Sequence, residues 1–195
     1  MVGVSGLELI FDYFEDHVRA AAHINESRPL VLGVLCFLLG GLSLFVSHAL
    51  ARGLLLLSFS WSSLALTLML KLLAGFLMTA ILHLILDVSG AKGSAASLFV
   101  LLGMASLVWA LTVPLVLITR LVLSGSAVAS GAIFLLVGLL SLSLKARSLQ
   151  DNYQIRPGKA WAILSLPYIA LVVAGALMFA LAVAGLFFQI VKAFH

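Results

Sequence analysis

Charge is what this sequence has least of. Of its 195 residues only 9% are Asp, Glu, Lys or Arg while 64% are hydrophobic, and the mean hydropathy is +1.26. A soluble globular domain carries about 25% charged residues, so the composition excludes a water-soluble globular chain and leaves an integral membrane protein. Cysteine is nearly absent as well. Cys36 is the only one; it cannot form an intramolecular disulfide, has no Cys/His cluster of metal spacing around it, and reads as a small buried hydrophobe. The sets that nucleophilic or metal-assisted catalysis needs are missing as recognisable motifs: no Ser/His/Asp or Cys/His arrangement, no HExxH, no paired intramembrane carboxylates. Neither an enzyme nor a cofactor is expected. The net charge is +4, but no aromatic platform is interleaved with the basic residues, which sets nucleic acid aside. In a membrane chain such an excess reads as Lys and Arg gathered in cytoplasmic loops near anionic headgroups. A secretory signal is not expected either, because the N-terminus is acidic (Glu8, Asp12, Glu15, Asp16) and lacks a basic n-region.

What is present is a series of long apolar runs. Crossing the hydrocarbon takes about 20 helical residues, and runs at about 29–50, 61–88, 94–120, 126–144 and 160–191 meet that length. The expected fold is all-α: a polytopic bundle of five transmembrane helices (29–195) preceded by a short amphipathic N-terminal helix (1–28). In that helix Leu7, Ile10, Phe11, Phe14 and Val18 recur at three- and four-residue steps, and Ser5 with Glu8 fits a capping box. Anionic lipid would repel its acidic face, so docking on the protein's own basic loops is expected over free surface binding. Arg28-Pro29 marks the boundary to the first span. Lys and Arg divide seven (Arg19, Arg28, Lys92, Lys145, Arg147, Arg156, Lys159) against three (Arg52, Arg120, Lys192). This predicts a cytoplasmic N-terminus and a C-terminus outside, with 145–160 as the one sizeable polar loop, on the cytoplasmic side. No internal repeat is apparent, which disfavours an inverted-repeat transporter.

The information about function is concentrated in 61–119, two apolar stretches about a short polar turn. Lys71 lies ten residues after Trp61, at a depth where an ammonium costs about 3 kcal/mol on insertion scales. It can snorkel outward, pair within the bundle, or line a polar cavity. His83 and Asp87, four apart, share a helix face. They are either a proton relay or ligand contact at the cytoplasmic mouth, or an interfacial pair that ends the span. In the Ser89–Ser94 turn Gly90 suits the left-handed cap of the second span, Gly93 permits the reversal, Ser94 caps the third span and Lys92 sits at the headgroups. The strand and spacing of a phosphate-binding P-loop are absent. Pro114 removes a backbone donor and deprives the Ala110 carbonyl of its usual partner, which predicts a kink in the third span; Pro167 repeats the device in the fifth. Ala176, Ala180 and Ala184, and Gly131 with Gly138, mark faces for close helix approach, within the chain or in a homo-oligomer.

His83-Leu-Ile-Leu-Asp87, the Gly90-Ala-Lys92-Gly93-Ser94 turn, a third span with Pro114 at mid-membrane, a later polar loop and a fifth span opening Lys159-Ala160-Trp161 together resemble the Yip family. These are the Ypt/Rab-interacting membrane proteins and their prokaryotic relatives. The resemblance covers about 29–190 and is strongest from His83 to Pro114. It implies a five-span fold, and a role like that of the eukaryotic members, which are associated with vesicle traffic and prenylated small GTPases. Those members carry a longer cytoplasmic N-terminal domain. With some 28 residues before the first span, the resemblance implies a compact prokaryotic-type member in the cell (inner) membrane.

Three functions are consistent with these features. The chain is a non-enzymatic membrane organiser that binds membrane lipids or a protein partner at its cytoplasmic loops, or a small transporter or channel subunit with a polar path through Lys71, His83 and Asp87, or, least of all, a lipid-acting intramembrane enzyme. A continuous polar cavity from Lys71 to His83 and Asp87 would favour the second, and a solid bundle with Lys71 snorkelled the first.

Overall fold

A computed structural model describes residues 6–52, 60–122 and 126–193; Ser5, and with it the proposed capping box, lies outside the described residues. The described residues form eight α-helices and no strand: α1 Gly6–Glu15, α2 His17–Ser27, α3 Leu30–Arg52, α4 Trp61–Val88, α5 Ala95–Ser106, α6 Thr112–Val122, α7 Ala127–Tyr153 and α8 Pro157–Ala193. Five helical stretches are long and apolar enough to cross a membrane: α3, α4, α5 continued into α6, α7 and α8. The all-α polytopic architecture read from the sequence is the observed one.

The N-terminal segment is two helices, not one. Asp16 leaves the helical region (φ −131°, ψ 81°), and its carboxylate accepts the Arg19 N–H at 3.2 Å, so the residue that breaks α1 also caps α2. The apolar stripe that stands out in the sequence is not the one that meets the bundle. Leu9, Tyr13, His17, Ala20, Ala21 and Ile24 face the bundle, whereas Leu7, Phe11 and Val18 remain 70%, 66% and 61% exposed. The helices carry two apolar stripes, one in the bundle and one, with Leu7, Phe11, Phe14 and Val18, turned away from the protein, the arrangement of a helix lying at a lipid interface.

The 145–160 segment also departs from expectation. Most of this predicted loop is helix: α7 runs on to Tyr153, and only 154–156 connect it to α8. Ala, Leu, Lys, Arg and Gln are good helix formers, and Ala146, Leu149 and Tyr153 continue the buried face of the span at steps of three and four. Gln154 then ends the helix in the left-handed conformation (φ 52°, ψ 44°), its N–H donating to the Gln150 carbonyl.

α5 is the centre of the bundle, with every residue from Ser97 to Ser106 buried. α3 lies closest against it, because glycines remove the Cβ atoms that would hold the backbones apart. A Cβ on Gly103 would sit 2.6 Å from the Gly33 carbonyl oxygen, and one on Gly40 would strike the Ser106 carbonyl. Beyond Ser106 the span tightens into a 3-10 turn, Leu107–Leu111, before α6. This is the interruption that Pro114 predicts, placed just ahead of it. The Thr112 N–H turns back onto the carbonyls of Trp109 and Ala110, the Thr112 hydroxyl donates to Trp109 at 2.6 Å, and Ser47 of α3 meets that hydroxyl at 2.6 Å. The carbonyls freed by the break thus find partners inside the bundle. α8 stands apart: its residues from Tyr168 to Gly185, including the Ala176/Ala180/Ala184 ladder, are exposed.

Candidate functional site

The last two turns of α7 join four other elements, α1, α2, α4 and the turn after α4, at one end of the bundle. The Tyr13 hydroxyl of α1 lies 3.0 Å from Ser148 Oγ, whose own proton goes to the Leu144 carbonyl at 2.9 Å. The His17 imidazole meets the Asp151 carboxylate at 2.6 Å. The Asn152 amide donates to the Ser94 carbonyl at 2.9 Å, tying α7 to the turn between α4 and α5. The Tyr153 hydroxyl and His83 Nδ1 of α4 share a 2.6 Å hydrogen bond. The N-terminal helices therefore do dock on the 145–160 segment. Their polar link is a histidine on a carboxylate, however, where sequence electrostatics point to acidic residues on basic ones. Burial pushes the Tyr13 phenol well above its ordinary range. It also holds the His17 imidazole below its usual value, against the opposing pull of Asp151. His17 Nε2 is buried without a hydrogen-bond partner. The neutral ring with its proton on Nδ1, donated to Asp151, is the form that leaves no N–H stranded.

The polar residues singled out in the sequence fall into three places. His83 pairs with Tyr153, and no hydrogen bond joins it to Asp87. The two instead line the polar end of a groove of about 720 Å³ between α3, α4 and α5, whose remaining wall is apolar or small: Leu30, Val34, Phe76, Ala80 and Phe99 among others. Asp87 is exposed at its rim. Gly90 takes the left-handed conformation its predicted capping role demands (φ 75°). Gly93 has a further reason to be glycine, since a Cβ there would drive into the Tyr153 ring. Ser94 caps α5, accepting the Ser97 N–H at 3.4 Å, and Lys92 is exposed on the turn. Pro114 is exposed on α6, away from this end.

Lys71 is elsewhere. It lines a cavity of about 240 Å³ on the α8 side of α4, with Phe37, Ser106, Lys145 and Tyr168 among its neighbours. Its ammonium lies 5.7 Å from the centroid of the Trp109 ring. At 1.5 Å per residue Lys71 is about 15 Å along α4 from Trp61 and about 25 Å from Val88. Snorkelling to either end is therefore not the arrangement observed. Phe37 separates this cavity from the His83/Asp87 groove: its ring lies where a Gly75 Cβ would be only 2.6 Å away, and it packs on Phe99 with ring centroids 5.1 Å apart. Lys145, assigned to a polar loop by hydropathy, belongs in this cavity inside α7. Removing it from the charge tally leaves six basic residues against three, with the same sign.

Sequence reasoning missed Lys145, Tyr153, Trp109 and the His17–Asp151 pair. The signal for the first two is the helical spacing of Leu142, Ala146, Leu149 and Tyr153 continuing past the end of the apolar run. For the other two, long-range pairs across 134 residues and between separate spans, a single sequence holds no signal. Compared with family models, curated proteins and solved structures, the chain matches none.

Proposed function

We propose that this protein is a non-enzymatic membrane organiser that holds a phospholipid in the groove between α3, α4 and α5. The observation that carries the reading is the composition of the groove: about 720 Å³ of largely apolar wall with an imidazole and an exposed carboxylate at one end only. Acyl chains suit the wall. The Asp87 carboxylate suits a headgroup that is cationic and donates hydrogen bonds, which is a primary amine such as that of phosphatidylethanolamine; the quaternary amine of phosphatidylcholine has no N–H to give. With the N-terminus in the cytoplasm, as the charge bias favours, the headgroup end and the docked α1/α2 pair share the cytoplasmic face, where a protein partner would read them. A Yip-like organising role in a prokaryotic inner membrane agrees with this and rests on the His83–Pro114 motifs. The residues that a transport path would need, Lys71 on one hand and His83 with Asp87 on the other, line cavities on either side of Phe37, which lends its weight to binding.

Native mass spectrometry of the protein with equal amounts of the two phospholipids tests this reading. Wild type is expected to retain phosphatidylethanolamine preferentially. Asp87→Asn is expected to lower that preference about tenfold, the size of one charge-assisted hydrogen bond. Equal retention of both lipids by wild type would refute the reading.

A further inference from the structure

Lys71 and Lys145 come from different helices, α4 and α7, yet line one cavity inside the membrane-spanning part of the bundle. No carboxylate among the described residues lines that cavity. Among the described residues neither lysine has a hydrogen bond or ion pair; the Trp109 ring under Lys71 is the one favourable electrostatic contact found. Two ammonium groups sharing a low-dielectric space repel each other as well as losing their hydration. A fold that only needed to pack would have apolar residues at these positions. The Tyr168 hydroxyl, at the same wall, is a further donor without an acceptor among the described residues. Lys145 and Tyr168 also border a second cavity of about 320 Å³, whose wall is otherwise largely apolar, with Phe134, Leu135, Leu139 and Leu142 beside Trp109 and Ser141.

We propose that Lys71 and Lys145 form an intramembrane oxyanion site that takes the phosphate or carboxylate of an acyl-chain amphiphile, with its tail in the adjoining apolar cavity. One negative oxygen group between the two ammonium groups offsets the burial of both and their mutual repulsion, which none of the described residues does. The half-exposed side of Tyr168 leaves the site open laterally, so an amphiphile can enter from the bilayer. This site is separate from the Asp87 groove, and its ligand has the opposite charge.

The test is binding of phosphatidate and oleate, with phosphatidylcholine as control and inorganic phosphate as competitor, read by native mass spectrometry on wild type, Lys71→Met, Lys145→Met and the two Lys→Arg variants. Wild type is expected to hold phosphatidate or oleate over phosphatidylcholine. Each methionine variant is expected to lose about tenfold or more in affinity, and the arginine variants to keep it. Displacement of the lipids by inorganic phosphate, with the same lysine dependence, would support the oxyanion site and assign it to a free anion. Unchanged binding in both methionine variants, or no preference for the anionic amphiphiles in wild type, would overturn it. A second measurement needs no lysine variant. In a Trp61→Phe/Trp161→Phe protein, whose remaining tryptophan is Trp109, brominated oleate is expected to quench the fluorescence. Absence of quenching would overturn the placement beside Trp109.

Discussion

Tyr153 shows how much a single side chain does at this end of the molecule. Its ring fills the space that Gly93 leaves, and its hydroxyl reaches His83. Tyr153→Phe keeps the ring and loses the hydrogen bond, so it is expected to cost about 1 kcal/mol. Tyr153→Ala opens a cavity and is expected to cost about 3–5 kcal/mol; thermal unfolding of the two variants in the same detergent checks the difference. His17 gives a pH dependence with a definite sign. Its folded-state pKa lies below the ordinary value, so the docked form binds fewer protons than the undocked one. The stabilisation is fully present above pH about 6.5 and is lost as pH falls through the lower, folded value. The Tyr13 ring lies against the imidazole, centroids 4.4 Å apart, and of the charged groups around it Asp151 opposes this shift and Arg147 adds to it. Amide-exchange protection in α1 and α2, corrected for intrinsic exchange, is expected to fall on acidification. His17→Gln is expected to remove that pH dependence.

At the scale of elements, the five spans were legible because a run of some 20 apolar residues suits a membrane-crossing helix and little else. The trailing turns of α7 were not. Hydropathy classifies Lys145–Tyr153 as a loop, although the apolar spacing of the helix persists through it, and those turns carry the contacts to α1, α2, α4 and the 89–94 turn. The N-terminal helices were legible as amphipathic, but which of their two apolar stripes meets the protein was not. The rule that the apolar face meets the core discriminates poorly where the surroundings are oil on both sides. Helix packing within the chain was not legible for a similar reason. Small residues at regular spacing mark faces on α7 and α8, for contact within the chain or between copies, whereas the close approach inside the chain is between α3 and α5, at Gly33, Gly40 and Gly103. Gly40→Ala must push against the Ser106 backbone and is expected to destabilise by about 1–3 kcal/mol. Gly131→Ala meets nothing within 4 Å and is expected to gain about 0.5–1 kcal/mol from helix propensity. Chemical denaturation in mixed micelles distinguishes the two signs.

The molecule as a whole divides its polar chemistry by depth. One end gathers the start of α3, the end of α4, the start of α5 and the junction of α7 with α8. There hydrogen bonds fix α1 and α2, and a groove with a carboxylate at its rim opens between α3, α4 and α5. Deeper in, beyond Phe37, two lysines face a cavity without a counter-charge. Of these features the sequence pointed to Lys71 and to the His83/Asp87 pair, because an ionisable group in an apolar run is costly wherever it lies. How they group depends on α7 and Phe37, whose places are set by packing between distant parts of the chain. The central claim is that the groove between α3, α4 and α5 is a phospholipid site. The most direct test is an experimental structure of the protein in nanodiscs made from an ethanolamine and choline phospholipid mixture. An ordered lipid is expected, with its acyl chain along Val34, Phe76 and Phe99 and its amine about 3 Å from the Asp87 carboxylate. A groove closed by its own side chains, or a lipid whose headgroup lies at the opposite end, would contradict the claim.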